Sequence, residues 1–306
     1  MRIGCVDFVS NTFFPAIAAE ELGFFSAEGI EAHVHLLRTV AAFPALRDGQ
    51  VDVLAAPAHS VLRAFPQWKG AKLVVALAQG TPWLVVLGSN VPGERGDVSA
   101  LKGLRIAVAP GPSPVFRQFL IEFGLEPDRD VQIIDLPHSE GADVNFGMFA
   151  ARALDGGLID GFFANAMGAE ISIRRGIGRI LIDVRRDGDS FYTVRHFTFA
   201  ALITTDDLIA RSPAQVASIV RAIVKVQKAL RANPARAADV GKRRFPPDAA
   251  ERIASLVERD LPFYDPRISE ESVAGVNRLA QSLGLLTAPV PYGQMVAETF
   301  RDLWTF

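Results

Sequence analysis

The chain carries two successive series of short apolar runs that alternate with helix-like segments. This alternation predicts parallel sheets with crossover helices, which is an α/β architecture. After the second series, only segments with helical periodicity follow one last apolar run. The predicted strands are at 2–7, 32–37, 51–55, 72–78, 83–87, 105–109, 131–136, 160–164, 179–183 and 198–204. Helices are predicted at 15–22, 41–48, 59–65, 114–123, 146–155, 166–174, 248–259, 270–283 and 292–303, and a further one opens at 212–213.

The two series are separated by a segment at 89–104 that is rich in glycine, proline and charge. A chain of 306 residues also exceeds one comfortable hydrophobic core. We therefore predict two lobes joined by two crossings of the chain, near 84–90 and 192–197. The first lobe comprises 1–87 plus 197–306, and the second, at 88–196, is inserted into it.

The amino-acid composition excludes several classes of partner and covalent cross-link. Hydrophobic residues make up 49% and charged residues 22%, and the formal net charge is −2, so the basic surface that nucleic acid requires is not expected. Cys5 is the only cysteine, which excludes an internal disulfide. The start of the chain reads as a core strand and has no signal-peptide pattern. A periplasmic location therefore requires that a signal peptide was removed, and a cytoplasmic location is the alternative.

Four segments, taken in order, resemble bacterial substrate-binding proteins for sulfonates, taurine, nitrate and thiamine-pyrimidine precursors. They are FPAIAAEELGFFSAEGI at 14–30, ALRDGQVDV at 45–53, DVSALKGLRIAV at 97–108 and ALDGGLIDG at 153–161. The resemblance covers roughly the whole chain. It implies a two-lobed fold of the type II periplasmic-binding kind, with mixed sheets flanked by helices and a ligand cleft between the lobes.

The same fold also carries enzymes, and the chain departs from their motifs. The aromatic sulfinate desulfinases place a nucleophilic cysteine after Ser-Asn in the first loop, whereas Ser10-Asn11 is followed here by Thr12. A neutral threonine is a poor nucleophile without an adjacent base. The eukaryotic pyrimidine-precursor synthases use a cysteine-rich iron motif, which one cysteine cannot supply. Neither of these two catalytic mechanisms is therefore expected for this sequence.

Ligand contacts are expected from loops at the carboxyl ends of strands, because these loops line the cleft of open α/β sheets. The first such loop places hydroxyls, an amide and free backbone N–H groups at a helix N-terminus. Arg38 is the best candidate for pairing a ligand carboxylate or sulfonate. The candidate residues are Ser10, Asn11, Thr12, Phe13, Arg38, His59, Ser60, Thr81, Trp83, Ser113, Asn145, Asn165 and His196.

Each candidate also has a structural interpretation that the sequence leaves open. The first loop is also typical of a helix cap, His59 of a capping or buried hydrogen-bonded histidine, and Trp83 of a core aromatic. Asn145 and Asn165 are typical of turns, Arg38 of a solvated cation, and His196 of a hinge position.

No catalytic set, cofactor motif or metal site is predicted. The spacing of the five histidines does not match a helical metal pair, although His33 and His35 share one face of a strand. The predicted function is capture of a small organic ligand for the membrane subunits of an ABC-type importer. Two helix N-termini, Arg38 and several aromatic residues suggest a small carboxylate or sulfonate as the kind of ligand. The alternatives are a cytoplasmic enzyme (decarboxylase, desulfinase or hydrolase) on the same fold, and a cytoplasmic ligand sensor.

Overall fold

The computed structural model of the protein describes residues 1–136 and 146–305. Its strands, in chain order, are β1 Arg2–Cys5, β2 His33–Leu36, β3 Val53–Pro57, β4 Ala71–Ala78, β5 Leu84–Gly88, β6 Arg105–Val108, β7 Gln132–Ile134, β8 Gly161–Ala164, β9 Gly178–Asp183 and β10 Ala200–Thr205. Each of these strands overlaps one of the apolar runs named above.

The α-helices of the described residues fall between the strands and in the C-terminal part of the chain. They are α1 Phe14–Glu21, α2 Phe24–Ala27, α3 Thr39–Arg47, α4 Ser113–Glu122, α5 Phe146–Asp155, α6 Ala166–Arg174, α7 Tyr192–Arg195, α8 Asp206–Arg211, α9 Pro213–Ala232, α10 Arg236–Arg244, α11 Pro247–Asp260, α12 Glu270–Ser282 and α13 Tyr292–Met295. Within the described ranges, no helix has both the length and the apolar character that crossing a membrane requires.

The chain folds into two compact units. Unit 1 comprises Met1–Gly80 and His196–Phe306, and unit 2 comprises Thr81–Arg195. Each unit has its own five-stranded sheet, ordered β2-β1-β3-β10-β4 in unit 1 and β7-β6-β8-β5-β9 in unit 2. Both sheets are mixed, and helices connect most of their parallel strands. This arrangement confirms the predicted α/β class.

The sheet of unit 1 has four parallel strands and one antiparallel strand. β1 pairs in parallel with β2 and β3, while β10 runs antiparallel to both β3 and β4. β4 is almost entirely buried, with only Lys72 half-buried, which fits a strand covered on both faces. In α9, Val216, Ile219 and Val220 are buried, as the helical periodicity of that segment predicts.

The sheet of unit 2 corrects the predicted position of one strand. The apolar run at 83–87 was expected at the end of the first lobe, but β5 pairs antiparallel with β8 and β9. The apolar pattern identifies a strand, but it carries no information about which neighbour the strand hydrogen-bonds. β6 pairs in parallel with β7 and β8, so only β5 runs against the others in this sheet.

Arg2 and Asp52 are joined by hydrogen bonds where β1 and β3 begin in the sheet of unit 1. The backbone N–H of Arg2 donates to Asp52 Oδ2 at 2.8 Å, and the Arg2 guanidinium donates to Asp52 Oδ1 at 3.0 Å and to the Gly49 carbonyl at 2.8 Å. The N–H of Asp52 returns a bond to the Arg2 carbonyl at 2.9 Å. The aspartate of the segment at 45–53 therefore holds β1 beside the start of β3.

Unit 2 repeats this arrangement at the same place in its sheet. The backbone N–H of Arg105 donates to Asp160 Oδ2 at 2.8 Å, and its guanidinium donates to Asp160 Oδ1 at 2.8 Å and to the Gly157 carbonyl at 3.1 Å. The hydrogen bond from Arg105 holds the pKa of the Asp160 carboxyl below its usual value. Three of the four motifs that carry the family resemblance thus supply residues of these clamps at strand starts.

We expect Asp160→Asn to lower the free energy of unfolding by about 1 kcal/mol at pH 7, because one charge-assisted acceptor is lost at a partly exposed site. Since the pKa of Asp160 is depressed in the folded state, its stabilising contribution is present above the usual pKa of about 3.9 and is lost as the pH falls below it. Urea unfolding of both proteins should therefore converge between about pH 4 and pH 2.

Asp155→Asn is the matched control for this change. The Asp155 side chain is 50% exposed and lies 3.7 Å from Arg175, so its replacement should alter stability by less than about 0.5 kcal/mol. A stability difference for Asp160→Asn that stays constant from pH 7 to acid would contradict the ionic character of the clamp.

Candidate functional site

In unit 1 the sheet topology brings the candidate loops to one edge. β1, β2, β3 and β4 run in the same direction, and β10 runs against them. The loops that follow the parallel strands therefore share an edge with the segment that leads into β10. Ser10–Phe13 follows β1, Arg38 follows β2, His59 and Ser60 follow β3, and His196 precedes β10.

The first loop is buried although it is polar. Ser10, Asn11 and Thr12 are 3%, 1% and 1% exposed. The helix that follows has Phe13 as its N-cap residue, with no side-chain cap hydrogen bond within the described residues and with a proline in its first turn. The polar side chains of this loop therefore do not cap α1, which removes the simplest structural explanation for them.

Asn11 is fixed by two residues from the distant C-terminal part of the chain. Its Nδ2 donates to Asp260 Oδ2 in a short hydrogen bond, and its backbone carbonyl accepts from the Tyr264 hydroxyl at 2.5 Å. Asp260 and Tyr264 are 2% and 0% exposed. The side-chain oxygen of Asn11, Oδ1, is buried and has no hydrogen-bond partner within residues 1–136 and 146–305.

His59 lies between two hydroxyl groups. Its Nδ1 is 2.9 Å from Thr198 Oγ1, and its Nε2 is 3.2 Å from Ser60 Oγ. All three residues are buried. The structure therefore brings the end of β3 and the segment before β10 together in one polar group, in which His59 is hydrogen-bonded as the structural interpretation predicted.

The two remaining candidates of unit 1 are placed differently. Arg38 is exposed and stands immediately before α3, after the outermost strand of the sheet. The His196 side chain is 18% exposed, with Nε2 3.9 Å from Glu271 Oε2. The His196 backbone lies against Gly275 in α12, where a Cβ atom would meet the His196 carbonyl oxygen. This contact fixes the backbone of His196 at the point where the chain returns to unit 1.

In unit 2, the other candidates that the structure describes lie at the corresponding edge of the sheet. Four strands of this sheet, β6, β7, β8 and β9, run in the same direction, and β5 runs against them. Ser113 follows the end of β6 and Asn165 follows the end of β8. Thr81 and Trp83 precede β5 and therefore lie at the same edge of the sheet. Asn145 lies outside the described residues. Ser113 is the first residue of α4 and is not its cap, since the N-cap residue is Pro112.

Three of these side chains have contacts within unit 2. The Thr81 hydroxyl donates to the Val194 carbonyl at 2.7 Å, and Asn165 Oδ1 accepts from the Met167 N–H at 3.2 Å as the cap of α6. Trp83 is 7% exposed, and its ring lies 5.7 Å from that of Phe163. These contacts give each residue a structural role; whether they also contact a ligand stays a prediction.

Sequence reasoning missed three residues that hydrogen-bond to the candidates and one buried arginine at the corresponding edge of unit 2. Asp260, Tyr264 and Thr198 belong to unit 1, and Arg185, which is only 5% exposed, follows β9 in unit 2. Asp260 and Arg185 lie in charged stretches that are typical of solvated helix ends and turns. Only their burial, which a single sequence does not show, distinguishes them from ordinary surface charges.

Cys5 has none of the properties of a nucleophile. It is fully buried in β1, and burial raises the pKa of its thiol to about 12. A thiol in this state is not ionised near neutral pH and is chemically inert. Within the described ranges, no group of three or more histidine, cysteine, aspartate or glutamate residues is arranged to hold a metal ion.

The family assignment rests on a match over most of the chain. The family model described as NMT1/THI5 like matches residues 10–237. The chain belongs to the NMT1/THI5-like family. The matched range includes the first loop, His59, Thr198 and both Arg–Asp clamps except for Arg2. A comparison with curated protein sequences gives no match.

Solved structures share the fold of this NMT1/THI5-like protein at low sequence identity. The periplasmic aliphatic sulphonate binding protein SsuA from Escherichia coli has a TM-score of 0.72 at 16% identity, covering 97% of this chain and 91% of that one. A putative periplasmic sulfonate-binding protein SsuA from Methylobacillus flagellatus KT gives 0.69 at 17%, covering 100% and 96%. The desulfurization enzyme DszB gives 0.66 at 17%, covering 98% and 97%. The predicted periplasmic-binding fold is confirmed.

Proposed function

We propose that this NMT1/THI5-like protein is a solute-binding protein that captures a small organic ligand reversibly. The observation that carries the proposal is the first loop of unit 1, where Ser10, Asn11 and Thr12 are buried but do not cap the following helix. Burying polar groups costs free energy unless partners compensate it. A bound ligand that hydrogen-bonds to these groups would offset the free-energy cost of burying them.

The other residues of the same edge support a binding role. Asp260 and Tyr264 hold Asn11 in place, and Ser60 and Thr198 hold the His59 ring. Side chains fixed in this way present their remaining polar atoms without a further loss of conformational entropy on binding. The candidate residues of unit 2 and Arg38 are proposed as additional ligand contacts.

The location and partner are proposed on the same basis. The SsuA proteins that share the fold are described as periplasmic, and one as part of a sulfonate ABC transporter. We therefore propose a periplasmic location and delivery of the ligand to the membrane subunits of an ABC-type importer.

Catalysis is the competing function, because DszB shares the fold. The best nucleophile–base pair in the described residues is Ser60 with His59, whose Oγ and Nε2 are 3.2 Å apart. In hydrolytic triads a carboxylate orients the other ring nitrogen, whereas the Thr198 hydroxyl stands beside Nδ1 here. A neutral hydroxyl stabilises the imidazolium that such catalysis forms less than a carboxylate does, so the geometry favours binding.

The test is a titration of the purified protein with a library of small carboxylates, sulfonates, amines and heterocycles. We expect calorimetry to give one-to-one binding, and mass spectrometry to recover the ligand unchanged. Asn11→Ala should weaken binding by about 1–3 kcal/mol, the usual cost of stranding a buried polar partner. It should also lower the melting temperature, because the bond to Asp260 is lost.

Two further variants separate binding from stability. Thr12→Val removes a buried hydroxyl at nearly constant volume, so it should weaken binding with a smaller change in melting temperature than Asn11→Ala. Asn90→Ala, at an exposed position, should leave both unchanged. Steady product formation that disappears in Ser60→Ala or His59→Ala protein would overturn the binding function in favour of catalysis.

A further inference from the structure

The orientation of the Asn11 amide is set by its neighbour. A carboxylate oxygen only accepts hydrogen bonds, so the NH₂ group of Asn11 must face Asp260. The reverse orientation would place two acceptors against each other. The Asn11 backbone is held at the same time by the Tyr264 hydroxyl at 2.5 Å. Asn11 Oδ1 is therefore fixed as an acceptor and cannot exchange places with the donor.

This acceptor is unsatisfied in a residue that is 1% exposed. Asn277, a buried asparagine of the same unit, shows the ordinary case. Its Oδ1 accepts from the Val290 N–H at 3.0 Å, and its Nδ2 donates to the Val290 carbonyl at 2.9 Å. Within the described parts of the chain, Asn11 Oδ1 has no such partner. Gln227 Oε1 in α9 is also buried without a partner in the described residues. Asn11 differs from it in lying in a loop that follows a strand at the candidate edge, where a ligand group can complete the missing bond.

The chemistry of the acceptor selects the ligand group that fits it. Carboxylate and sulfonate oxygens are acceptors only, so either group placed at Asn11 Oδ1 would bring two acceptors together in a buried place. An N–H or O–H group would instead complete the missing hydrogen bond. A cationic N–H donor would form the stronger bond, because charge-assisted hydrogen bonds exceed neutral ones.

We propose that Asn11 Oδ1 accepts a hydrogen bond from the ligand, and that the ligand end bound there is an N–H-bearing group, such as an amidine, amine or amide. This proposal rests on the proposed solute-binding function and narrows its ligand class. It differs from the carboxylate or sulfonate that the sequence suggests as the kind of ligand. That expectation rested on helix N-termini and Arg38, which is exposed.

The test compares two probes that share a phenyl ring, benzamidinium and benzenesulfonate. Protein labelled with ¹⁵N in its asparagine side chains is titrated with each probe, and the Asn11 amide signals are identified by their loss in Asn11→Ala. We expect benzamidinium to shift the Asn11 signals saturably, with an affinity at least about tenfold above that of benzenesulfonate. The signals of Asn277, whose amide is already satisfied, and of exposed Asn90 should not move.

Where Asn11→Ala is poorly folded, Asn11→Ser, which keeps a small donor beside Asp260, identifies the Asn11 signals instead, and the titration of the wild type decides the result. Equal or tighter binding of benzenesulfonate, with a shift at Asn11, would overturn the donor assignment and leave the solute-binding function intact. The absence of any Asn11 shift with benzamidinium up to about 10 mM, where fragments of this size bind a suitable buried partner, would also overturn it. In that case the broader library titration decides the solute-binding function independently.

Discussion

Gly275→Ala should lower the free energy of unfolding by about 3 kcal/mol, at the upper end of the usual cost of overpacking. A Cβ atom at this position would lie 2.0 Å from the His196 carbonyl oxygen and 2.5 Å from the His196 Cβ. The first of these neighbours is backbone, so the clash cannot be relieved by a side-chain rotation alone. Alanine is favoured over glycine within a helix by about 1 kcal/mol, which offsets only part of this cost.

Chemical denaturation at neutral pH measures the change, with Gly156→Ala as the control. Gly156 also lacks a positive φ, and the nearest atom to a Cβ there is 3.6 Å away, which is ordinary contact. Its replacement should change stability by less than about 1 kcal/mol. If Gly275→Ala were as stable as the wild type, α12 and the segment at His196 would not be in close contact in solution.

The strands could be predicted from the sequence because each is a short apolar run, but their pairing could not. β5 shows the difference: its apolar run is clear, and its partners β8 and β9 lie far along the chain. Among the helices, α2, α7, α8 and α10 were not predicted. α2 and α7 are four residues long and α8 is six, too short to show a helical period, and α10 has few large apolar residues among its charges.

The C-terminal segment shows how local geometry overrides periodicity. One helix was predicted at 292–303, whereas α13 ends at Met295 and a separate 3₁₀ helix spans Glu298–Leu303. Between them Val296 is extended and bridges to Leu73 of β4. Some apolar residues of this segment therefore pack against β4 in an extended conformation, and the others lie in helical turns. The predicted helix at 59–65 is likewise a 3₁₀ helix, Ala58–Arg63.

The residues of the candidate site that follow a strand could be predicted from the sequence. The residues contributed by distant segments of the chain could not. The loop at Ser10–Phe13 and the pair His59–Ser60 were found because they follow β1 and β3. The partner of Asn11 is 249 residues away, in a stretch whose charges are typical of a helix end. The aspartates of the family motifs had no evident role in the sequence, and the structure assigns Asp52 and Asp160 to strand clamps.

Phe163→Ala is expected to destabilise unit 2 by about 4 kcal/mol, because it removes a fully buried aromatic side chain. Phe163 is 0% exposed in β8, and its ring lies 4.9 Å from that of Phe116, 5.7 Å from Trp83 and 6.3 Å from Phe119. The loss therefore includes aromatic contacts on several sides, each of which adds to the area buried.

Calorimetry combined with tryptophan fluorescence measures this effect. Trp68 and Trp304 belong to unit 1 and Trp83 to unit 2, so an early change in Trp83 emission identifies the affected unit. Leu158→Ala, at a side chain 67% exposed in the same unit, should change stability by less than about 0.5 kcal/mol. If Phe163→Ala costs no more than Leu158→Ala, then Trp83 is not held by the aromatic core. Its buried ring would then need another explanation, and the predicted ligand contact would be the first to examine.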